Sequence, residues 1–391
     1  MRKPAWQPVF FVFCGRAPVS GIVWLKSRGD VMVVEVIEVL TPRGMQLFNN
    51  FPRHIYGELH RSPFFPVLEK ASPRFDRLFS RVEAQPFLAI RRGYVVGRIA
   101  ACVNHTVPDN HSGYFGYFES INHAAVAGAL IKAAGAWLAA RGRSRMTGPV
   151  DLTPHERLGL LAGGYRGYHH PGMPYNPPYY SNLFEQIGLE KEITLYAYHY
   201  DLRQPAPEKL VRVAARAVRN KQMKLRSVNF NDLSGEGEIF SRIHNSSMHE
   251  IWGFAALSPV EGAAIWRKLK SYYDPALILV AEVDGEPAGL CLTLCPLGRR
   301  YFSGAGCFNA RLAVLSVLPQ YRRKGLEAAL ILESARRARD RGVTALELSL
   351  VADNNVMMNR IIQSLPGVIR SREYKVYRQD IDTPHRSWVT E

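Results

Sequence analysis

The 391-residue sequence predicts an α/β protein built as two halves on one plan, and three observations carry that expectation. A strand, glycine turn and strand recur: Phe87-Leu88-Ala89-Ile90-Arg91-Arg92-Gly93-Tyr94-Val95-Val96-Gly97 aligns with Leu279-Val280-Ala281-Glu282-Val283-Asp284-Gly285-Glu286-Pro287-Ala288-Gly289, 192 residues later. An Ala-rich helical stretch also recurs, Ala129-Leu130-Ile131 with Arg141-Gly142 matching Ala329-Leu330-Ile331 with Arg341-Gly342 at an offset of 200. Between the halves, Arg203-Gln204-Pro205-Ala206-Pro207 reads as a linker, because each proline disfavours helix at itself and at the residue before it. A length well beyond about 150 residues per domain agrees with two units.

The elements follow in order. Arg2 and Lys3 precede an apolar run, Val9 to Phe13, which Arg16 interrupts without a small-residue cleavage site after it, so residues 1–31 are expected to be an extension outside the fold. Met32 opens an alternating strand, Val33 to Val39, and the first domain is placed at 32–203. The hairpin at 87–97, an aromatic strand from Tyr114 to Phe118 and the helix ending at Gly142 come next, then a loop with Asn176, a short helix and a strand from Ile193 to Tyr200. The second domain, 204–391, begins with an amphipathic helix on which Arg212, Arg216 and Arg219 share one face, while Val211, Ala214, Ala215 and Val218 supply apolar positions. After the second hairpin an apolar strand, Leu312 to Val317, runs through Leu318-Pro319-Gln320-Tyr321 into a long helix. A strand from Leu346 to Val351, a short helix opened by Asn355 and a strand from Tyr374 to Tyr377 complete the plan.

Composition narrows the function classes. With 47% hydrophobic and 21% charged residues the chain can bury real cores, which excludes fibrous and low-complexity classes. Fifty Lys and Arg against 34 Asp and Glu give +16, favouring polyanionic partners such as nucleotide cofactors, RNA or acidic membrane surfaces. Cys14, Cys102, Cys291, Cys295 and Cys307 form no CxxC pair, so a reducing, cytoplasmic setting is expected, with Cys291 and Cys295 as core residues. There is no HExxH, and His169-His170 is expected in a surface loop, so no metal is assigned. No run approaches the ~20 apolar residues of a span, and no membrane partner is implied.

The strand-to-helix turn at Arg322-Arg323-Lys324-Gly325-Leu326-Glu327-Ala328 carries the chemistry. A tight turn into a helix leaves consecutive backbone N–H groups pointing outward, where the helix dipole adds positive charge, and an anion fits there. The spacing Tyr321-Arg322-x-x-Gly325-x-x-Ala328 after Val317-x-Pro319 resembles the acyl-CoA loop of the GNAT superfamily of N-acetyltransferases, with Glu327 where that family usually has Gly or Ala. The resemblance extends over about 32–385 and implies two tandem GNAT-like domains, each a mixed, mostly antiparallel sheet flanked by helices. It further implies acetyl-CoA or another acyl-CoA as cosubstrate and transfer of the acyl group to an amine-bearing acceptor, with a small molecule the broader expectation. By the same resemblance Leu315 and Val317 pair with the pantetheine arm, Arg322, Arg323, Lys324, Gly325, Leu326 and Ala328 hold the pyrophosphate, and Asn355 helps hold the cofactor arm. Where many members carry a tyrosine that protonates the thiolate, this chain has Ile362.

No general base stands out from the residues. Glu347 alternates with Leu346 and Leu348 and faces a cleft or, the expected case, solvent, while His249 and Glu250 lie where early helices would border an acceptor. At the 200-residue offset the first half has Asn122, His123, Ala124 and Ala125, with neither glycine nor cations, so it is expected to lack the anion site and to support its partner. Two rival functions remain: an aminoacyl-tRNA-dependent transferase, for which the basic helix would hold RNA, and a noncatalytic acyl-CoA binder.

Overall fold

The computed structural model describes residues 22–26, 31–57, 81–167, 169–219, 222–297 and 308–381; the expectations placed on Arg2 to Arg16 and on Cys307 lie outside them. The first half comprises β1 (Ile22–Lys26), β2 (Val31–Glu38), α1 (Pro42–Asn50), α2 (Pro52–Tyr56), β3 (Val82–Arg91), β4 (Tyr94–Asn104), β5 (Ser112–Ser120), α3 (Ala124–Ala139), β6 (Arg145–Gly148), β7 (Leu160–Gly163), α4 (Tyr179–Gln186) and β8 (Glu190–Asp201). The second comprises α5 (Glu208–Val218), β9 (Met223–Ser227), α6 (Leu233–Met248), α7 (Pro259–Lys270), β10 (Ile278–Val283), β11 (Glu286–Leu294), β12 (Phe308–Val317), α8 (Leu326–Asp340), β13 (Val343–Ala352), α9 (Val356–Gln363) and β14 (Ile369–Asp380).

The repeat seen in the sequence is a repeat in space. Both hairpins turn through two consecutive positive-φ residues, Arg92-Gly93 (48° and 80°) and Asp284-Gly285 (55° and 83°), the conformation that matches strand twist in a two-residue hairpin. Both also shift register at the same place, between Ala89 and Ile90 in β3 and between Ala281 and Glu282 in β10.

Among the described residues fourteen strands make one sheet in the order β1-β2-β3-β4-β5-β6-β14-β8-β13-β12-β11-β10-β9, with β7 also on β14. Pairing is antiparallel except for β5 with β6 and β12 with β13. Ile22–Lys26, inside the stretch expected to lie outside the fold, extends this sheet by pairing with β2. The terminal strands have changed places: β14 lies between β6 and β8, and β8 lies between β14 and β13. Each half is therefore joined edge to edge with the other through the strand that closes it.

Helices cover the sheet with apolar faces. In the first half Val126, Leu130, Ala134 and Leu138 of α3 pack on Val34, Phe87, Ile99 and Phe115. The aromatic strand β5 serves this packing, with Phe118 edge-on to both Tyr180 and Phe184. In the second half Leu326 and Leu330 of α8 pack on Leu279, Ala281 and Val317. On another face Phe240 and Ile243 of α6 meet Trp266 of α7, whose Nε1–H donates to the Glu236 carbonyl at 2.9 Å. Burial of these side chains, at about 25 cal/mol per Å² of apolar surface, is the main force holding the layers together.

Candidate functional site

β12 and β13 run parallel from Phe308 beside Val343 to Leu312 beside Leu348, and then part. Beyond that point Val314 to Val317 pair only with β11, while Val351 and Ala352 pair with β8. The wedge between them opens into an apolar cavity of about 220 Å³. Leu315, Leu332, Leu348, Val351 and Ile362 are among its walls, and Asn355 and Ser349 are among its few polar ones.

The turn at the head of α8 stands at one end of this wedge. Gly325 takes φ 87°, which a side chain would strain, and caps α8 without a side-chain hydrogen bond. Arg323 also has positive φ, 61°. The first α8 bond across the turn is Ala329 N–H to the Gly325 carbonyl, and the six preceding N–H groups, Arg323 to Ala328, donate to no protein acceptor among the described residues. Six adjacent donors thus stand together at the positive end of a 15-residue helix, the arrangement expected of an anion cradle.

The side chains expected to line the cradle divide into three groups. Leu326 and Ala328 are buried, so only their backbone is available. Arg323 and Lys324 are exposed, Lys324 lying over the Tyr321 ring at 5.3 Å. Arg322 is drawn back: its Nε donates to the Val317 carbonyl at 3.2 Å and its Nη2 to the Ser247 carbonyl at 2.8 Å, tying the turn to the end of α6. That bond occupies the carbonyl of Val317, whereas Leu315 lines the cavity. Glu327 is half-buried and forms no ion pair with Arg323 or Lys324 among the described residues. Asn355 caps α9, its side chain accepting from Met358 N–H at 3.2 Å.

The catalytic candidates are not brought together. Glu347 is buried rather than facing solvent: it accepts from Arg372 at 2.9 Å and from the Ser349 hydroxyl at 2.7 Å. Arg311, on β12, binds Ser349 through its Nε at 2.9 Å, so a polar cluster closes the cavity floor where the two strands separate. The alternation that put Glu347 opposite its leucines was right, but the exchanged strand β14 brings Arg372 over that face, which local sequence could not indicate. His249 and Glu250 are exposed and lie 3.8 Å apart, between the cavity-lining Met248 and Ile251. His170, expected at the surface, is buried instead, with Nε2 2.9 Å from the Leu294 carbonyl and its ring stacked on Tyr273. Burial lowers its pKa to about 4.

The first half has the same wedge, narrowed to a small polar pocket of about 30 Å³. β5 and β6 pair only from Ser112 to Tyr114, and beyond them Glu119 accepts from Tyr56 at 2.6 Å and Tyr180 at 2.8 Å, with Arg98 at 3.7 Å. Burial raises the pKa of Glu119. At the head of α3 the His123 side chain accepts from Ala125 N–H at 3.2 Å, so this helix caps itself where α8 leaves its donors open. The apolar cavity was missed by sequence reasoning; the adjacent apolar residues Ile331 and Leu332, with Ala335 one turn on, were its only local signal.

Comparison with known proteins agrees with this geometry. Residues 242–360 match the family model of the Acetyltransferase (GNAT) family. The chain is 28% identical over 377 residues, 88% of its length and 96% of the relative's, to a protein named bacterial ceramide synthase from Caulobacter vibrioides. It is 29% identical over 400 residues, 93% of its length and all of the relative's, to protein YghO of Escherichia coli. A solved tandem GNAT protein from the clavulanic acid biosynthesis pathway shares the fold with a TM-score of 0.53 at 13% identity, over 89% of this chain and 98% of that one. The parted parallel strands and the match over residues 242–360 identify a GNAT-family domain in the second half, and the chain as a whole has the fold of a tandem GNAT protein.

Proposed function

We propose that the second half, residues 204–391, binds a long-chain acyl-CoA and transfers its acyl group to an amine. One observation carries this reading: six backbone donors without a partner among the described residues lie at one end of a wedge that leads to an apolar cavity of about 220 Å³. A ligand matching both must be polyanionic at one end and apolar at the other, which describes an acyl-CoA. The open edge of β12 beyond Leu312 offers backbone groups of Leu315 to the arm that joins them. Transfer forms a bond from the amine nitrogen to the thioester carbonyl carbon and breaks the carbon–sulfur bond, the thiolate leaving to take a proton. The protein's part is to hold the two reactants in line and keep water from the thioester. Ile362, 6% exposed and packed on Tyr198 and Val351, supplies no proton and instead extends the apolar wall. Because Arg372 engages Glu347, the exposed His249, between the cavity-lining Met248 and Ile251 in sequence, is the better candidate for taking the proton of the amine.

The similarity to a protein named ceramide synthase extends the reading to the acceptor. A ceramide is the amide of a fatty acid with a long-chain amino alcohol, so an apolar cavity suits both the acyl donor and a lipid amine acceptor. Calorimetry with acetyl-CoA and palmitoyl-CoA tests the proposal. Each methylene buried is worth about 0.8 kcal/mol, so about four of them favour palmitoyl-CoA by on the order of a hundredfold. Ala313→Trp, which fills the cavity, should abolish that preference while leaving acetyl-CoA binding. Equal affinities in the unaltered protein would remove the long chain from the proposal, and no binding of either would remove acyl-CoA itself.

A further inference from the structure

The cavity opens to solvent between three elements: the start of α5, α9 and the segment after α6. Ile251 and Ile361 both line it and are 41% and 51% exposed, which marks them as its rim. Further apolar side chains on the same elements face water: Val211 and Val218 on α5, Val356 and Met357 on α9, Met357 being 71% exposed. Scattered exposed apolar residues are ordinary, but here they belong to the elements around one opening.

Cations adjoin them. On α5, Lys209, Arg212, Arg216 and its C-cap Arg219 are exposed, against a single acid, Glu208. The cradle cations stand close by, since a Cβ at position 325 would lie 3.0 Å from the Val213 carbonyl of α5. Only Ala214 and Ala217 of α5 are buried, against Ala328 and Ala329 of α8, so Val211 and Val218 do not serve the core as their sequence positions suggested. At 100° per residue these two valines form a strip between the buried alanines and the arginines. An apolar strip bordered by cations is the pattern of a helix lying in the plane of lipid headgroups. RNA would use the cations but gives no role to Val211, Val218 or Met357.

We propose that this rim docks the protein on an anionic phospholipid bilayer with the cavity mouth against the lipid, so that an alkyl chain passes between bilayer and cavity without crossing water. No spanning segment is needed, and among the described residues no helix is long and apolar enough to cross a membrane. The docking stands on the rim alone and is measured without acyl-CoA, so it can fail while the transferase reading stands, and the reverse.

Cosedimentation of the full chain with vesicles tests it, using phosphatidylcholine alone or mixed with phosphatidylglycerol. Binding is expected only to the mixed vesicles and should weaken as salt rises. Each cation near such a surface contributes on the order of fivefold, so Arg212→Ala/Arg216→Ala/Arg219→Ala should lower partitioning by on the order of a hundredfold. Val211→Ser/Met357→Ser should lower it by on the order of tenfold with the net charge unchanged. All these side chains are exposed, and circular dichroism should show unaltered folding. Absence of binding to the mixed vesicles, equal binding by the variants, or binding of transfer RNA that the Val211 and Met357 substitutions leave unchanged while vesicles are ignored would each overturn the proposal.

Discussion

Replacing Gly325 by alanine tests the link between the cradle and α5 directly. The residue has φ 87°, and a Cβ there would meet the Val213 carbonyl at 3.0 Å, Ala217 Cβ at 3.1 Å and Val213 Cγ1 at 3.2 Å. Gly342 provides the control, because it ends α8 with φ 77° and a Cβ there would meet nothing within 4 Å. Left-handed backbone costs an L-residue about 1–2 kcal/mol, so Gly342→Ala should lose about that much stability. Gly325→Ala adds an overpacking cost of about 1–3 kcal/mol, since either α5 or the turn must move. Urea unfolding should therefore show Gly325→Ala the less stable of the two by about 1–3 kcal/mol. The same movement should misalign at least one donor to a bound pyrophosphate, and a hydrogen bond to a charged group is worth about 1.5–3 kcal/mol, or on the order of 10–100-fold in acyl-CoA affinity by calorimetry. Gly342→Ala should bind like the unaltered protein. Equal stability and equal affinity for the two variants would refute both the packing argument and the placing of the anion at this turn.

Two further outcomes follow from buried ionisable groups. His170 and His244 are each held near pKa 4 by burial, against 6.5 when unfolded, so the unfolded chain takes up protons first as pH falls. Stability should be fully present above pH 6.5 and decline toward pH 4, by on the order of 3 kcal/mol for each residue, with smaller losses from His155 and His169, and His170→Gln should remove only its own share of the decline; a flat urea midpoint across that window would contradict this. Arg372→Met removes the 2.9 Å partner of buried Glu347 and should cost about 3–5 kcal/mol in urea unfolding, with Glu347→Gln in the same chain restoring part of it; a loss below about 1 kcal/mol would show the pair to be well solvated.

What could be read in the sequence was local. Asp284-Gly285 and Arg92-Gly93 dictate their turns through backbone sterics, and Gly325 after Arg323-Lys324 marks a helix entry, so the hairpins and the start of α8 were legible. The exchange of β8 and β14 was not, because alternation in Ile193–Tyr200 and Tyr374–Tyr377 specifies a strand but not its neighbour. The misplacement of Glu347 follows from that gap. His170 was misplaced because a histidine in a Gly- and Tyr-rich stretch gives no sign that Tyr273 and the Leu294 carbonyl will enclose it. The exposure of the α5 valines was not legible either, because amphipathic spacing does not say how much of a helix its neighbours cover.

The exchanged strands bear on how such a gene can change. With α3 capped by its own His123, the first half would be dispensable if the two were beads on a string, and deletion could remove it. Here β13 has β8 as its antiparallel neighbour, and β6 and β7 have β14. A gene shortened to residues 204–391 would expose the edge of β13 beside the cavity and leave β14 without β6, β7 or β8 to pair with. The exchange thus acts as a ratchet: the first half is kept, whatever it binds, because the other half's sheet cannot be closed without it.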